Sequence, residues 1–242
     1  MLIFFNDFET SNQLYDVLLL NVPLITLKKK RLKKTEREDF VLNDYLKEIL
    51  VGLLLGDLYG RKKGDYTLFS FKQGLIHQDY LNHLYSIFKD YTASAPKIVN
   101  NFPHPKTGKC YNSILFYTYS LPCFNELYDL FYVSPPLPFG QGGRKKTVPI
   151  NIFNLLTPLA YWIADDGSWN KVSKYVTLCT DSYTLEEILK LIEVLNKKFN
   201  LRCYKVKCGN GFRIIIPSYS IYALQELLSA HIPPMMKHKI GL

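Results

Sequence analysis

The sequence predicts an α+β fold built from two similar halves, each with the element order αββαββα. Two apolar helical stretches of the same design, VGLLLGDLY and LAYWIADDG, end in Asp57 and Asp166. These aspartates are 109 positions apart, which leaves each copy enough chain for a small domain of its own. The whole chain has 242 residues, of which 48% are hydrophobic, so each half can bury a core.

We divide the chain into four segments. A basic leader covers 1–36, the first repeat 37–132, a linker rich in proline and glycine 133–150, and the second repeat 151–242. The leader ends in the basic run Lys28–Lys34. Such a run is more typical of a solvated or flexible arm than of a DNA clamp.

The first repeat begins with its apolar helix, for which Asn43 and Asp44 are both suitable starting positions. Alternating polar and apolar side chains then predict two strands, and apolar spacings of three and four predict two further helices. In chain order these are the strand TLFSFKQ, a helix over 79–91, the strand NSILFYTYS and the helix LPCFNELYDLFY.

The second repeat follows the same order of patterns, with one strand more before its last helix. Its apolar helix is followed by the strand YVTLCTD and the helix YTLEEILKLIEVLNKKF. The strands RCYKVKC and FRIIIPS come next, and the GNG between them predicts a tight hairpin. A last helix covers 220–229.

The apolar helices are suited to pack against each other. Gly52 and Gly56 are four residues apart and share one face of the first helix, where they allow a second backbone to approach closely. Ala160 and Ala164 do the same in the second helix. Close packing would bring the two terminal aspartates together. One such helix alone is more often a core helix with a polar end, but two at a domain-sized interval favour a shared site.

Two carboxylates at one place repel each other unless a cation lies between them. Oxygen ligands with room for water suit Mg²⁺, so Asp57 and Asp166 are predicted to hold it. The chain is also basic, with 30 Lys and Arg against 21 Asp and Glu and a net charge of +9. This excess fits a polyanionic partner, although it also fits solubility or RNA binding. Two acids with Mg²⁺ in a basic protein are typical of phosphodiester cleavage.

Other features of the sequence exclude several classes of protein. The five cysteines have no CxxC spacing, which favours a reducing compartment and argues against a zinc site or a disulfide framework. The longest nearly apolar run, Ile49–Leu55, is too short to cross a membrane. No membrane partner is therefore expected.

The two apolar helices resemble the signature helices of single-chain LAGLIDADG homing endonucleases, especially those encoded in fungal mitochondrial introns. The resemblance extends from Tyr45 to the C-terminus. It implies double-strand cleavage of a long DNA site by one active site, shared between two pseudo-symmetric halves. It also implies a saddle of antiparallel sheets with the signature helices packed at its centre. The further matching segments are LFSFKQGLIHQDYLNHLY, KKTVP, YVTLCTDSYTLEEI and PPMMKHKIGL.

The resemblance also implies individual site residues. Lys146 in KKTVP matches one active-site lysine of the family. The other lies in the family pattern M-x-Y-K-I, which reads M-K-H-K-I here, so Lys239 is the match and Lys237 is the alternative. The carbonyl groups of Gly56 and Asp165, just before the catalytic aspartates, are expected to complete the metal coordination. Two or three Mg²⁺ ions would be shared, with Mn²⁺ able to substitute and Ca²⁺ binding without cleavage.

Strands of the two sheets are the predicted DNA surface, because a β-ribbon fits the major groove. In the first repeat Ser70 and Lys72 share the face opposite Phe69 and Phe71. In the second repeat we assign DNA contact to the face that carries Lys205 and Lys207, together with Arg213 of the next strand. Arg144 and Lys145 of the linker complete the set. An ordinary solvated sheet face is the alternative for each residue.

Three functions remain open. The first is a site-specific double-strand DNA endonuclease, the second is a maturase that binds the intron RNA, and the third is a DNA-binding protein without activity. One chain with two repeats completes the site alone, so a monomer without an obligatory protein partner is expected.

The stretch MLIFFNDFET contains Asp7 and Glu9, whereas a mitochondrial presequence is rich in arginine and poor in acidic residues. The resemblance implies a mitochondrial location, with the chloroplast as the alternative, and a protein that works in mitochondria without such a presequence is expected to be made there.

Overall fold

The computed structural model describes residues 31–103, 105, 107–133, 144–149 and 156–242. Both repeats have the predicted order αββαββα, which confirms the α+β fold. A short helix, α1, precedes the first repeat, and a two-stranded pair, β5 and β6, lies between the repeats. The helices are α1 Lys34–Glu38, α2 Asp44–Leu55, α3 Gln78–Phe88, α4 Asn125–Phe131, α5 Leu156–Asp166, α6 Leu185–Phe199 and α7 Ile221–Leu228. The strands are β1 Tyr59–Lys63, β2 Tyr66–Gly74, β3 Lys97–Asn100, β4 Asn112–Tyr117, β5 Tyr132–Val133, β6 Lys145–Lys146, β7 Gly167–Asn170, β8 Tyr175–Leu178, β9 Tyr204–Cys208 and β10 Gly211–Ile216.

The two main sheets have the same topology. The strand order is β1-β2-β4-β3 in the first and β7-β8-β10-β9 in the second, and all neighbours are antiparallel. One face of each sheet packs against helices, because Phe69 and Phe71 of β2, like Val176 and Leu178 of β8, are buried in the core. The opposite face of each sheet is called its free face below.

The helix boundaries follow from local capping. The side chain of Asn43 accepts a hydrogen bond from the backbone N–H of Leu46 at 2.8 Å, so α2 begins at one of the two predicted positions. Thr184 and Glu187 form a capping box at the start of α6, and Asn200 ends that helix in the left-handed conformation at φ 52°. The remaining predicted helices and strands are present within a few residues of their expected bounds.

Three strands of the two main sheets were not singled out from the sequence, and neither were the short strands β5 and β6. β1, with the sequence YGRKK, and β3, with KIVN, show no clear alternation, and β7 follows directly on α5. Each is an edge strand or a continuation whose pairing with its neighbour, rather than its own pattern, makes it a strand.

The leader and the linker are described only in part. Of the predicted leader 1–36, only residues 31–36 lie in the described ranges, and Leu32 is buried in the core. These residues therefore pack with the first repeat. In the predicted linker 133–150, β6 pairs with β5 in the register Tyr132 to Lys146. Among the described residues, no helix is both long and apolar enough to cross a membrane.

Candidate active site

Helices α2 and α5 lie side by side at the centre of the fold, and most of their contact face is buried. Two glycines of α2 make this approach possible. A Cβ atom at Gly52 would lie 2.3 Å from the carbonyl oxygen of Pro158, and one at Gly56 would lie 2.5 Å from the Cβ of Asp165. The predicted close packing of the two helices is therefore confirmed, with Ala160 and Ala164 fully buried on α5.

Three carboxylates meet where the two helices end. Asp57 follows Gly56 at the end of α2 and is exposed, whereas Asp165 and Asp166 are the half-buried last residues of α5. The backbone N–H of Asp57 donates a hydrogen bond to the Oδ2 atom of Asp165 at 3.1 Å. The structure thus brings the two predicted metal-binding aspartates to one place and adds the side chain of Asp165 between them.

The carboxylates carry negative charge that the protein only partly balances. Burial and the nearby charge of Asp57 raise the pKa of Asp166 to about 7, although Lys146 and Lys239 act in the opposite direction. Burial and the charges of Asp57 and Asp166 raise the pKa of Asp165 well above its usual range. Such a cluster is stabilised by a cation among the carboxylates.

Each helix end has one lysine beside it. The Nζ atom of Lys146, positioned by β6, donates to the carbonyl oxygens of Gly56 at 2.6 Å and Leu58 at 3.2 Å. The Nζ atom of Lys239, in the 3₁₀ turn Pro234–Ile240, donates to the carbonyl oxygen of Gly167 at 2.8 Å. These carbonyls flank Asp57 and Asp166, so the two lysines occupy equivalent places. It is Lys239, rather than the alternative Lys237, that reaches the helix end.

Burial affects both ammonium groups. It lowers the pKa of Lys146 to about 8, against the opposing effect of the three aspartates, of which Asp166 acts most strongly. Burial also lowers the pKa of Lys239. A half-buried lysine with a lowered pKa exchanges a proton near neutral pH more readily than an exposed one.

The sequence did not reveal two further residues of the site. Gln73, near the end of β2, places its Nε2 atom 3.4 Å from the Oδ2 atom of Asp57 and 3.4 Å from the Oδ1 atom of Asp165. The hydroxyl of Tyr80 on α3 donates to the same Oδ1 atom at 3.0 Å. A signal was present, because Gln73 is a polar residue in phase with the buried Phe69 and Phe71.

The free face of the first sheet adjoins Asp57. Ser70 and Lys72 lie on this face, opposite the buried phenylalanines, as the alternation of β2 predicts. Together with Asp57 and Gln73 they line an open cleft of about 480 Å³. The register adds three cations to this face that the sequence did not reveal, namely Arg61 and Lys63 of β1 and Lys97 of β3.

The face predicted for the two lysines of β9 is wrong. Lys205 pairs with Ile214 and Lys207 with Phe212, and Ile214 is fully buried in the core. Because cross-strand partners share a face, both lysines point to the helix-packed side of the second sheet, where the Lys205 Nζ lies 5.0 Å from the Phe212 ring centroid. They are exposed only because β9 is an edge strand.

Arg213 lies on the free face of the second sheet, as predicted, because it alternates with the buried Ile214. Its guanidinium donates two hydrogen bonds to the carboxylate of Asp181, at 3.0 and 2.8 Å. Arg144 is likewise paired with Asp129 and lies over the ring of Tyr128. Lys145 is exposed beside it. Both arginines therefore already have carboxylate partners.

Comparison with known proteins agrees with this architecture. The LAGLIDADG DNA endonuclease family matches residues 47–224. The chain is 30% identical over 209 residues to the cytochrome b mRNA maturase bI2 of Debaryomyces hansenii, covering 83% of this chain and 75% of that protein. It is also 30% identical to the maturase of the same name from Saccharomyces cerevisiae, of which it spans about half (48%).

Two further similarities concern endonucleases. A probable intron-encoded endonuclease of Wickerhamomyces canadensis is 29% identical over 219 residues, which cover 87% of this chain and 90% of that protein. The solved structure of the homing endonuclease I-WcaI bound to its DNA recognition sequence superposes with a TM-score of 0.73 at 27% identity. It covers 93% of this chain and 96% of that one.

Proposed function

This chain belongs to the LAGLIDADG DNA endonuclease family, and on that premise we propose that it is a site-specific double-strand DNA endonuclease. The observation that carries the proposal is the meeting of Asp57 and Asp166 at the ends of two packed helices, each with its own lysine. A protein that only bound DNA would have no need to crowd three carboxylates and two half-buried lysines at its centre.

We propose Mg²⁺ as the cofactor. Within the described ranges, no group of three or more His, Cys, Asp or Glu side chains forms a metal cage by itself. Mg²⁺ does not need one, since it commonly takes one or two carboxylates and completes its shell with water and substrate phosphate oxygens. The raised pKa values of Asp165 and Asp166 fit a site that gains from a cation. When bound, the metal would activate water and stabilise the leaving oxygen.

The protein's own residues would prepare the site for that chemistry. Asp57 and Asp166 would hold the metal, and the carbonyls of Gly56 and Asp165 are proposed as additional ligands. The hydrogen bond between Lys146 and the Gly56 carbonyl means that this lysine competes for one of those oxygens. Lys146 and Lys239 would order water near the scissile phosphates and offset the charge that develops there.

Asp165 is proposed to position the site instead of binding the metal through its carboxylate. That carboxylate accepts hydrogen bonds from the Asp57 backbone and from Tyr80, so it ties the two helix ends together. In the other direction, the hydroxyl of Tyr183 donates to the carbonyl oxygen of Leu55 at 2.6 Å. Each half thus sends a tyrosine hydroxyl to the helix end of the other.

A long double-stranded DNA site is the proposed substrate, bound across the free faces of both sheets by a monomer. A maturase role on intron RNA is the second candidate, because the two relatives at 30% identity are named as mRNA maturases. Those relatives also favour a mitochondrial origin, and the chloroplast alternative gains no support.

The experiment that tests the proposal is cleavage of duplex DNA that spans the uninterrupted host junction. Wild-type protein should produce a discrete double-strand break with Mg²⁺ and with Mn²⁺, and should bind without cutting in Ca²⁺. Asp57→Asn and Asp166→Asn should each lower single-turnover cleavage at least about 10³-fold, since each removes a metal ligand worth several kcal/mol. Their affinity for the duplex in Ca²⁺ should stay within a few-fold of wild type.

Asp90→Asn, at an exposed aspartate just after α3, is the matched control and should cleave normally. Normal cleavage by both site variants would refute the assignment of the active site. If the wild-type protein neither binds nor cuts the junction duplex but binds the intron RNA, the maturase candidate takes its place.

A further inference from the structure

The described part of the basic leader is fixed to the first sheet. The side chain of Leu32 is 8% exposed and belongs to the core. Arg37 donates from Nε to the Leu32 carbonyl at 3.3 Å and from Nη1 to the Ser120 carbonyl at 3.2 Å. Its guanidinium lies 6.0 Å from the ring centroid of Tyr66. In the described part of the basic run, residues 31–34, the cationic side chains are solvated, as the expectation of a solvated or flexible arm has it, but the backbone is anchored through Leu32.

This anchoring creates a cationic cleft. Arg31, Lys33, Lys34 and Arg37 line an open cleft of about 510 Å³, together with Asp65 of the hairpin between β1 and β2. The side chains of the first three are exposed, and in the part of the chain that the structure describes none of them forms an ion pair. Four cations and one carboxylate line the cleft, and the carboxylates of Glu36 and Glu38 lie beside it, bound to the Lys33 backbone N–H and to the Tyr66 hydroxyl. Cations still outnumber carboxylates by one, so the net charge of the cleft is positive.

The cleft continues the free face of the first sheet. Tyr66 lines the cleft and pairs with Lys63, so it lies on the same face as Arg61 and Lys63. β1 begins two residues after Asp57 and runs outward to this hairpin. At about 3.3 Å per residue, the cleft lies roughly 20 Å from the active site. A row of cations therefore connects Asp57 to the outer end of the sheet.

We propose that this cleft binds the phosphate backbone of double-stranded DNA just outside the half-site that the first sheet contacts. The inference rests on the proposed endonuclease function. The cleft lies at the end of the cationic row, and this position favours duplex DNA as the ligand. Each strand of a duplex offers a phosphate about every 3.4 Å along the helix axis, so successive phosphates can meet successive cations. The ring of Tyr66 is already covered by Arg37 and its hydroxyl donates to Glu38, so the cleft offers no free stacking platform for a base. Its contacts would add affinity without reading sequence.

The test is a triple variant, Arg31→Gln, Lys33→Gln and Lys34→Gln. The three side chains are exposed, so the fold should be kept, and an unchanged melting temperature would verify this. The control is Lys190→Gln, Lys197→Gln and Lys198→Gln on α6, which removes the same charge from a helix on the packed side of the second sheet. The probe is the host-junction duplex in Ca²⁺, used at full length and with its flank trimmed from either end.

The triple variant should bind the full-length duplex at least about tenfold more weakly at physiological salt. The slope of log K against log salt should fall by about one for each phosphate that the variant no longer neutralises, thus by up to about three. Trimming one particular end should weaken wild-type binding to the level of the variant and should leave the variant unchanged. The control variant should bind like the wild type on every duplex.

The inference would be overturned if the triple variant bound the full-length duplex as tightly as the wild type. It would also be overturned if the variant lost the same affinity, relative to the wild type, on trimmed and on untrimmed duplexes. A defect seen with intron RNA and not with duplex DNA would assign the cleft to RNA and overturn it as well. If the wild type binds no junction duplex at all, the proposed endonuclease function itself fails. Only in this last case does the wild type fail to bind the duplex, so failure of the inference can be distinguished from failure of the proposed function.

Discussion

The packing of α2 against α5 can be tested by a single methyl group at Gly52. In a solvent-exposed helix, replacing glycine with alanine stabilises by about 1 kcal/mol. At Gly52 the added Cβ would lie 2.3 Å from the Pro158 carbonyl oxygen, so the two backbones must separate by about 1 Å to restore normal contact. Overpacking of this kind costs about 1–3 kcal/mol beyond the propensity gain. We therefore expect Gly52→Ala to lower the melting temperature by roughly 2–12 °C.

The effect on activity should be larger than the effect on stability. A shift of about 1 Å between the helices would move Asp57 relative to Asp166, and misplacement of this size can cost about 10²-fold in rate. Single-turnover cleavage by Gly52→Ala should therefore fall about 10²-fold at a temperature where the variant is fully folded. Gly211→Ala is the control, because a Cβ there would lie 3.4 Å from its nearest neighbour. A Gly52→Ala protein as stable and as active as the wild type would refute the close helix contact.

Two other variants test separate parts of the site, and a third tests the capping box of α6. Lys146→Ala should lower single-turnover cleavage about 10²-fold and change duplex affinity in Ca²⁺ by less than about threefold, and equal losses in both would assign it to binding instead. Tyr80→Phe removes the hydroxyl bound to Asp165, so urea unfolding should show a loss of about 1 kcal/mol and cleavage should drop several-fold. In Glu187, hydrogen bonds from Thr147 and the backbone lower the pKa although burial opposes them. Because the folded pKa is lowered, its stabilisation is present at neutral pH and lost as the pH falls below about 4.3. In urea unfolding, Glu187→Gln should therefore be less stable than the wild type at pH 7. Below the folded pKa of Glu187 the two proteins should be equally stable.

The packing of the two central helices could be predicted because the signals for it lie within a few residues of each other in the sequence. The four-residue spacing of Gly52 and Gly56 defines a helix face that tolerates a close neighbour. The aspartate after each apolar run then lies at a helix end, whatever else surrounds it. Repetition of that pattern was enough to place Asp57 and Asp166 together before any contact was known.

The orientation of the edge strands could not be predicted in the same way. Alternation in RCYKVKC separates two faces, but it does not say which one a helix covers. That depends on the register of β9 against β10, in which Lys205 pairs with the buried Ile214. Lysines exposed at a sheet edge look the same in sequence whether they point towards the helices or away from them.

Contacts between the halves were also beyond the sequence. Gln73, Tyr80 and Asp165 meet over separations of 85 and 92 residues, and no local pattern links them. Their polarity on buried faces shows only that each needs a partner. Which partner it finds depends on how α3 and β2 pack against the end of α5.

The meeting of unlike residues at equivalent positions explains why two different halves suit this site. Gly56 and Asp165 each precede the terminal aspartate of their helix, and the space beside Gly56 is filled by the Asp165 side chain. A side chain at both positions would collide, since even a Cβ at Gly56 lies 2.6 Å from the Asp165 Oδ2 atom. Glycine at both would remove the acceptor for the Asp57 N–H and for Tyr80. If the two halves differ at this position, one side chain fills the space between the helices and accepts hydrogen bonds from both the Asp57 N–H and the Tyr80 hydroxyl. A single chain with two diverged repeats can supply that asymmetry, whereas a pair of identical subunits would place the same residue on both sides.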